Sequence, residues 1–313
     1  MRLGLLMLYL LSCGQVFAWG FFGHQKINEI AVYTLPKPLF GFYKANVDYI
    51  RVHATDPDNR RYVVADEACR HYLDGDHYEA KAPFDTLPHL YKDACTKYTE
   101  DSILAHGIVP WHVQTVLYRL TEAFKVKDVA KILKLSADLG HYVGDLHVPL
   151  HSTSNYNGQK TNQKGIHALW ESRLPELYFD NYYLFTGLAA YNETPGVSAW
   201  KAFDQSYSLV DSVLKTEKRV SLLFPDEQKY TWEVRGTTTV RTYSQPFCSA
   251  YHLALGNMVE NRMRASIILL GSLWYTAWVN AGQPDLGNMP INEVPKEPEV
   301  LPENGSMIGR EEE

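Results

Sequence analysis

The chain has 313 residues, and its 45% hydrophobic content is enough to bury the core of one large domain or two small ones. Charged residues make up only 21%, and the formal net charge is −6. The stretch from residue 286 to 313 contains seven acids and two bases, so residues 19 to 285 are close to neutral, with a net charge of −2. No basic field therefore favours a long nucleic-acid-binding surface.

The first 18 residues, MRLGLLMLYLLSCGQVFA, have the plan of a secretory signal. Arg2 precedes an apolar run from residue 3 to 11, and Ala18 follows Val16 at the spacing of a cleavage site. We expect cleavage after Ala18, a mature chain that starts at Trp19, and export to the periplasm or the medium. A rival interpretation takes LLSC as a lipoprotein signal that leaves a lipidated Cys13.

One other stretch is nearly apolar enough to span a membrane, at residues 267 to 279. It directly follows Arg262 and Arg264, so we interpret it as a core helix and predict no membrane span.

Apolar periodicity, prolines and glycines predict a succession of helices along the mature chain. The predicted helices cover residues 23 to 34, 40 to 52, 99 to 106, 110 to 124, 128 to 143, 167 to 177, 199 to 218 and 249 to 279. Polar, glycine-containing stretches at 67 to 84 and 152 to 165 predict loops, and β-branched residues at 230 to 243 predict a small hairpin.

No linker interrupts this pattern, so the sequence predicts a single all-α domain at residues 19 to 282 and a disordered acidic tail from 283 to 313. Cys69, Cys95 and Cys248 remain after signal cleavage. An odd number allows one disulfide in three possible pairings, of which we favour Cys69 with Cys95.

Three histidines and two carboxylates between residues 141 and 171 have the spacing of metal ligands. His141 and Asp145 are four residues apart, as are His167 and Glu171, and residues at this spacing share one face of a helix. His151 lies just past a turn at Pro149. A lone histidine is more often structural, but imidazoles combined with carboxylates and no thiolate predict zinc.

With these residues the chain resembles the superfamily of zinc-dependent phospholipases C and S1/P1-type nucleases. Its members fold as one multi-helix all-α domain, begin with a tryptophan and bind three zinc ions. Here AWGFFGH supplies Trp19 and His24, and the resemblance extends to about Asn280. It implies that the amine and carbonyl of Trp19 are ligands, which would make signal cleavage a condition for metal binding.

The resemblance also assigns the ligands of each zinc ion. The first zinc is implied at Asp56, His71, His141 and Asp145, the second at Trp19, His24 and a bridging Asp145, and the third at His151, His167 and Glu171. Asp58 is the alternative to Asp56.

The expected activity is hydrolysis of a phosphodiester. Two zinc ions bridged by Asp145 lower the pKa of a shared water so that hydroxide can attack phosphorus, and the third stabilises the developing charge. Asp56 is a candidate to orient or deprotonate that water.

The substrate class remains divided between two branches of the superfamily. The interval from Trp19 to His24 and the HYLD run at His71 look like the nucleases, whereas the close spacing of His151 and His167 looks like the phospholipases. The substrate is thus a single-stranded nucleic-acid end or a phospholipid head group, and no stable protein partner is implied.

Three residues are candidates for contact with the substrate. Tyr72 and Asp74 would hold a base or head group, and Asn155 is a further candidate in the loop after His151. A base stacked on Tyr72 would contribute about 1 to 3 kcal/mol, but Tyr72 packed beside the metal is an equally weighted interpretation. A different class also stays open, a metal-stabilised binding or structural protein without catalysis.

Overall fold

The computed structural model describes residues 20 to 235 and 238 to 287. The predicted signal, Trp19 and most of the predicted acidic tail lie outside these described residues. Helices dominate the described part, which confirms the all-α prediction. They are α1 (Gly20–Val32), α2 (Lys37–Ala45), α3 (Val47–Val52), α4 (Asp56–Arg60), α5 (Gly75–Tyr78), α6 (Tyr91–Tyr98), α7 (Glu100–His106), α8 (Val109–Lys125), α9 (Val129–Leu146), α10 (Ile166–Ala168), α11 (Leu174–Tyr178), α12 (Pro195–Ser221), α13 (Asp226–Lys229), α14 (Gln245–Leu255) and α15 (Met258–Asn280).

Short helical turns of other types connect several of these helices. The 3-10 turns are His53–Thr55, Ala68–Arg70, Pro149–Ser152 and Phe179–Asn181. A π-helical turn, Leu169–Arg173, joins α10 to α11 so that the chain is helical from Ile166 to Tyr178.

Helix α9 forms the centre of the domain. Its N-cap, Asp128, accepts a hydrogen bond from the Lys131 amide at 3.1 Å, which satisfies one of the donors left unpaired at a helix start. From Leu135 to Leu146 every residue is buried, because α1, α3, α8, α12 and α15 all pack against α9. The second half of α9 is therefore shielded from solvent on all sides.

Helices α1 and α9 approach each other closely at Asn28 and Gly140. The Asn28 side chain donates to the carbonyl of Ile50 and to that of Ala137, both at 3.1 Å, and so ties α1 to α3 and α9. A Cβ on residue 140 would lie 1.8 Å from Asn28 Oδ1, so this contact requires glycine. The approach fixes where α1 places its buried side chains relative to those of α9.

The predicted hairpin is confirmed as an antiparallel pair, β1 (Tyr230–Arg235) and β2 (Thr238–Tyr243). Trp232 faces Arg241 and Tyr230 faces Tyr243 across the ladder. Side chains two apart along a strand share a face. Glu233 and Arg235 pair with Arg173 and Glu176 of the neighbouring helical stretch, whereas Trp232 and Val234 on the other face of β1 are exposed.

Two predicted helices differ from the structure. The predicted helix at 249 to 279 is two helices, because Gly256 adopts a φ of +61° that ends α14. The predicted helix at 40 to 52 is divided at Asn46 between α2 and α3. Asn and Gly both favour helix ends. The apolar pattern nevertheless continues across both positions, which is why the sequence predicted uninterrupted helices.

The favoured disulfide is wrong. Cys69, Cys95 and Cys248 are all free thiols among the described residues. Cys69 Sγ instead donates to the carbonyl of Asp66 at 3.0 Å, and burial raises the pKa of its thiol to about 11.

The apolar stretch at residues 267 to 279 lies within α15, where most of its large side chains are buried against α1, α8 and α9, as predicted for a core helix. Arg262, at the start of that helix, donates to the backbone carbonyls of His147 and Ala202, both at 2.9 Å. Among the described residues, none of the helices combines the length and the hydropathy needed to cross a membrane.

Candidate metal centre

The buried half of α9 presents His141 and Asp145 one turn apart, as the sequence predicts. Both side chains are fully buried, and His141 Nε2 lies 3.3 Å from Asp145 Oδ2. Helix α1 brings His24 to the same place, where its Nε2 lies 3.4 Å from Asp145 Oδ1 and its ring stacks on that of His141 at 3.9 Å. Their ligand atoms are close enough together to hold one metal ion.

A second group combines Asp58, His71 and His141. Asp58 lies in α4 and His71 follows the 3-10 turn Ala68–Arg70. Asp58 Oδ1 is 3.7 Å from His71 Nδ1 and 3.5 Å from His141 Nε2, and the two ring nitrogens are 3.0 Å apart. His141 thus belongs to both groups.

A third group combines His151, His167 and Glu171. The π-helical turn after α10 keeps His167 and Glu171 on one face, with His167 Nε2 2.9 Å from Glu171 Oε2. His151 Nε2, from the turn Pro149–Ser152, is 3.2 Å from the same oxygen and 3.2 Å from His167 Nε2.

Asp145 lies where the three groups meet. Besides His24 and His141, its carboxylate is 2.9 Å from His71 Nδ1 and 3.9 Å from His151 Nε2. Oδ1 faces His24 and His151 while Oδ2 faces His71 and His141. One carboxylate can therefore serve two neighbouring metal positions.

These residues pass a test of whether metal ions fit. Both ring nitrogens of His24, both carboxylate oxygens of Asp58 and Oδ1 of Asp145 are buried and make no hydrogen bond to any described residue. Buried polar atoms are nearly always partnered, since an unsatisfied one costs about 1 to 3 kcal/mol. Divalent cations in the groups would supply partners for these oxygens and for the His24 Nε2 that faces Asp145.

Distances within the groups agree with that interpretation. In a tetrahedral zinc site with bonds of about 2.0 to 2.1 Å, neighbouring ligand atoms are about 3.3 Å apart. The contacts between ring nitrogens and carboxylate oxygens within the three groups run from 2.9 to 3.7 Å.

The backbone sets the tautomer of two of these histidines. His141 Nδ1 lies 2.9 Å from the carbonyl oxygen of Ala54, and His151 Nδ1 lies 2.8 Å from that of His71. A carbonyl only accepts, so each Nδ1 carries the proton and each Nε2 directs a lone pair toward the carboxylates. This is the form of histidine that binds a metal ion.

Burial and neighbouring charges together shift the pKa values of the residues in the centre. Burial, with the neighbouring His141, lowers the pKa of His24 to about 4, and burial likewise lowers the pKa of His141. Burial raises the pKa of Asp58 to about 6, although the charge of His71 opposes it. Burial alone would also raise the pKa of Asp145, but the surrounding histidines, led by His141, hold it well below its usual range.

Asp56, which the sequence analysis preferred as ligand and as catalytic residue, lies apart from the three groups. It is partly exposed, and its Oδ2 is 2.7 Å from His53 Nδ1. Asp58, two residues further, is 3% exposed and contacts His71 and His141. The geometry therefore favours Asp58, the alternative to Asp56.

Glu67 is a site residue that sequence reasoning missed. It is fully buried, its Oε1 lies 3.7 Å from His71 Nε2, and it accepts hydrogen bonds from the Tyr142 hydroxyl and from Arg70 at 2.6 Å. It stands behind His71, whose Nδ1 faces Asp145. The spacing of four between Glu67 and His71 was the available signal.

The candidate substrate residues are placed as follows. Tyr72 and Asp74 are buried next to His71, and Asp74 Oδ2 is 3.7 Å from His106 Nδ1. Asn155 uses its amide within its own loop, where Oδ1 accepts from the Lys160 amide at 2.8 Å and Nδ2 donates to Thr161 at 3.1 Å. A loop-stabilising role thus accounts for Asn155, and substrate contact by all three stays a prediction.

No protein-family model matches the chain, and no curated protein matches its sequence. Among solved structures, it is distantly similar to an alpha-toxin of Clostridium perfringens isolated from an avian strain, with a TM-score of 0.43 and 14% identity. The match covers 87% of this chain and 66% of the toxin, so the chain spans just under two thirds of its length. A likeness this distant carries no assignment.

Proposed function

We propose that the chain is an exported, zinc-dependent hydrolase of phosphoric ester bonds, of the phospholipase C and S1/P1 nuclease type. One observation carries the proposal: a single buried carboxylate, Asp145, lies within 3.9 Å of histidines that belong to three metal-capable groups. Structural zinc sites are normally closed, separate shells of four ligands. A chain of adjoining groups is instead typical of a multinuclear catalytic centre.

Three zinc ions account for the groups. The first would be held by Asp58, His71, His141 and Asp145, the second by Trp19, His24 and Asp145, and the third by His151, His167 and Glu171. This set differs from the one implied by resemblance only in Asp58, which replaces Asp56.

When bound, zinc supplies Lewis acidity toward a phosphoryl oxygen and makes water acidic enough to react near neutral pH. The residues of the chain hold the charges that this chemistry requires. Asp145 keeps its negative charge in the buried centre, and His141 and His151 are fixed by backbone carbonyls with Nε2 directed inward. Preorganised groups of this kind lower the cost of rearrangement during reaction.

Zinc content and hydrolysis in matched histidine variants test the proposal. His141→Gln removes a shared ligand and is expected to lower the zinc content and to abolish hydrolysis. His252→Gln is the matched control, because His252 contacts Tyr178 and Tyr182 and belongs to none of the three groups. If the unaltered protein binds zinc but hydrolyses no phosphodiester, the structural alternative is correct.

The same assay divides the substrate classes. Single-stranded DNA, RNA and phosphatidylcholine are offered side by side to the processed protein, with and without a chelator. Hydrolysis of the nucleic acids assigns the nuclease branch, and hydrolysis of the lipid assigns the phospholipase branch.

The N-terminal ligand has a separate test. One extra residue before Trp19 moves the terminal amine away from His24 and is expected to remove one zinc equivalent. Unchanged zinc content would show that the amine of Trp19 is not a ligand.

A further inference from the structure

A cavity of about 590 Å³ lies between the β-hairpin and the helical stretch from α10 to α11, next to the start of α1. Two ion pairs hold the hairpin over it. The buried Arg173 donates to both carboxylate oxygens of Glu233, with Nη1 3.0 Å from Oε2, and Arg235 Nη2 is 3.1 Å from Glu176 Oε2. We call this space the hairpin cavity. Its volume is in the range of small-molecule sites.

The hairpin cavity is distinct from the metal groups, although both use the same helical stretch. His167 and Glu171 face the metal centre, whereas the residues that follow each of them, Ala168 and Ser172, line the cavity. Consecutive residues of a helix point in different directions, about 100° apart in an α-helix. A ligand in the cavity therefore contacts another side of the helix from the proposed zinc ions.

One wall of the hairpin cavity is apolar. Phe21 and Phe22 from α1 and Leu169 from the π-helical turn form it. The Phe22 ring packs edge-on against Phe179 with their centroids 5.1 Å apart, and Leu169 is buried. This wall suits an apolar or aromatic body.

The cavity is also lined by two exposed cations that no acid neutralises, Lys164 and Arg241. Arg173 and Arg235 are matched by Glu233 and Glu176, but Lys164 and Arg241 have no acidic partner among the described residues. The Arg241 guanidinium lies 3.7 Å over the ring of Tyr230. This cation–π contact positions the guanidinium and leaves its N–H donors unpaired with any carboxylate.

We propose that the hairpin cavity binds a phosphate monoester with an apolar or aromatic body. A phosphate monoester carries a charge of about −1.5 to −2 at neutral pH, which matches two unpaired cations. An arginine fork also matches the geometry of phosphate oxygens, with which it can form two parallel hydrogen bonds. The phosphate contacts Lys164 and Arg241, and the body lies on the wall of Phe22 and Leu169.

The site stands on the cavity and its charges, and it does not depend on the proposed hydrolysis. The two are nevertheless chemically related, because hydrolysis of a phosphodiester leaves a phosphate monoester. A lipid phosphate and a nucleotide both have the required chemistry, so the test includes one of each.

Calorimetric titration of the processed, metal-containing protein tests the site with three probes. These are adenosine 5′-monophosphate, dihexanoylphosphatidate below its micelle concentration, and inorganic phosphate. We expect one organic phosphate to bind more tightly than inorganic phosphate, and which one binds identifies the source. The double variant Lys164→Gln/Arg241→Gln should weaken this binding at least about tenfold, the effect of losing one charge-assisted contact.

Two further variants keep the result interpretable. Lys215→Gln removes an exposed cation elsewhere, paired with Asp211 on α12, and should bind as the parent does. Thr242→Trp fills the cavity without altering its charge and should also abolish binding of the organic phosphate. Parent-like binding by the double variant would overturn the proposal, since the ligand would then lie elsewhere, for example at the metal centre. So would equal binding of inorganic phosphate, or no binding of either organic probe.

Discussion

The contact between Asn28 and Gly140 offers a sharp test of how the metal centre is positioned. Asn28 lies one turn after His24 on α1, and Gly140 immediately precedes His141 on α9. In a Gly140→Ala variant the new Cβ would be 1.8 Å from Asn28 Oδ1 and 2.8 Å from Nδ2. Either the Asn28 side chain or α1 itself must therefore move.

The size of the effect follows from what the movement breaks. Asn28 donates two buried hydrogen bonds, to Ile50 and Ala137, and each contributes about 1 kcal/mol net. Overpacking of a well-filled core adds about 1 to 3 kcal/mol, and the better helix propensity of alanine returns about 1 kcal/mol. We expect Gly140→Ala to lower the free energy of unfolding by about 2 to 4 kcal/mol.

Urea denaturation in a double-mutant cycle checks the cause. In an Asn28→Ala background the clash is gone, so Gly140→Ala should be neutral or should stabilise by up to about 1 kcal/mol. Zinc content should fall in Gly140→Ala alone, because α1 carries His24 away from Asp145. If Gly140→Ala lowers the free energy of unfolding equally in both backgrounds, the new methyl group does not clash with Asn28, which contradicts the prediction.

Three other predictions concern the metal ligands directly. Asp58→Asn should lower the zinc content, measured by inductively coupled plasma mass spectrometry, because Asp58 contacts His71. Asp56→Asn should leave the zinc content unchanged, because Asp56 contacts His53 instead. The opposite result would indicate that Asp56 is the ligand. Glu67→Gln should weaken zinc affinity about 10- to 100-fold in a competition titration with a chelator, as is usual for a residue that orients a ligand histidine; parental affinity would leave Glu67 a purely structural role. Removing the metal with EDTA should lower the thermal midpoint by roughly 10 °C, since zinc at about 1,000 times its Kd adds about 4 kcal/mol; an unchanged midpoint would contradict tight binding by the folded chain.

The sequence was most informative where ligands share one helical stretch. The pairs His141 with Asp145 and His167 with Glu171 are local, and helix geometry alone brings each pair onto one face. Whether one pair lies next to the other depends on tertiary packing, which spacing does not encode. In the structure His151 lies between the pairs, with its Nε2 3.9 Å from Asp145 Oδ1 and 3.2 Å from Glu171 Oε2.

The choice between Asp56 and Asp58 shows the limit of spacing arguments. Residues two apart on a helix point about 200° apart, so only one of these two aspartates can face His71. Which one faces inward depends on how α4 packs on α9, and the structure buries Asp58 there. Glu67 was missed for a related reason, because a 3-10 turn rather than an α-helix brings it behind His71.

The predicted disulfide was wrong because the sequence does not say how far apart the cysteines lie in the fold. An odd number of cysteines permits a bridge without requiring one, and Cys69 is held by the carbonyl of Asp66. The prediction of one continuous C-terminal helix was wrong because the apolar periodicity continues across Gly256, whereas the backbone at Gly256 has a positive φ that ends the helix.

Asp145 connects local sequence to the whole fold. Its neighbours come from separate elements: His24 from α1, His71 from the end of a 3-10 turn, and His151 from the turn after α9. Such elements converge only in the folded chain, whereas metal ligands in an unfolded chain are far apart. Zinc binding at this carboxylate should therefore stabilise the native state with little offset from binding to the unfolded one. For the same reason Gly140→Ala, which substitutes none of the proposed ligands, is expected to disturb the centre by displacing the helix that carries His24.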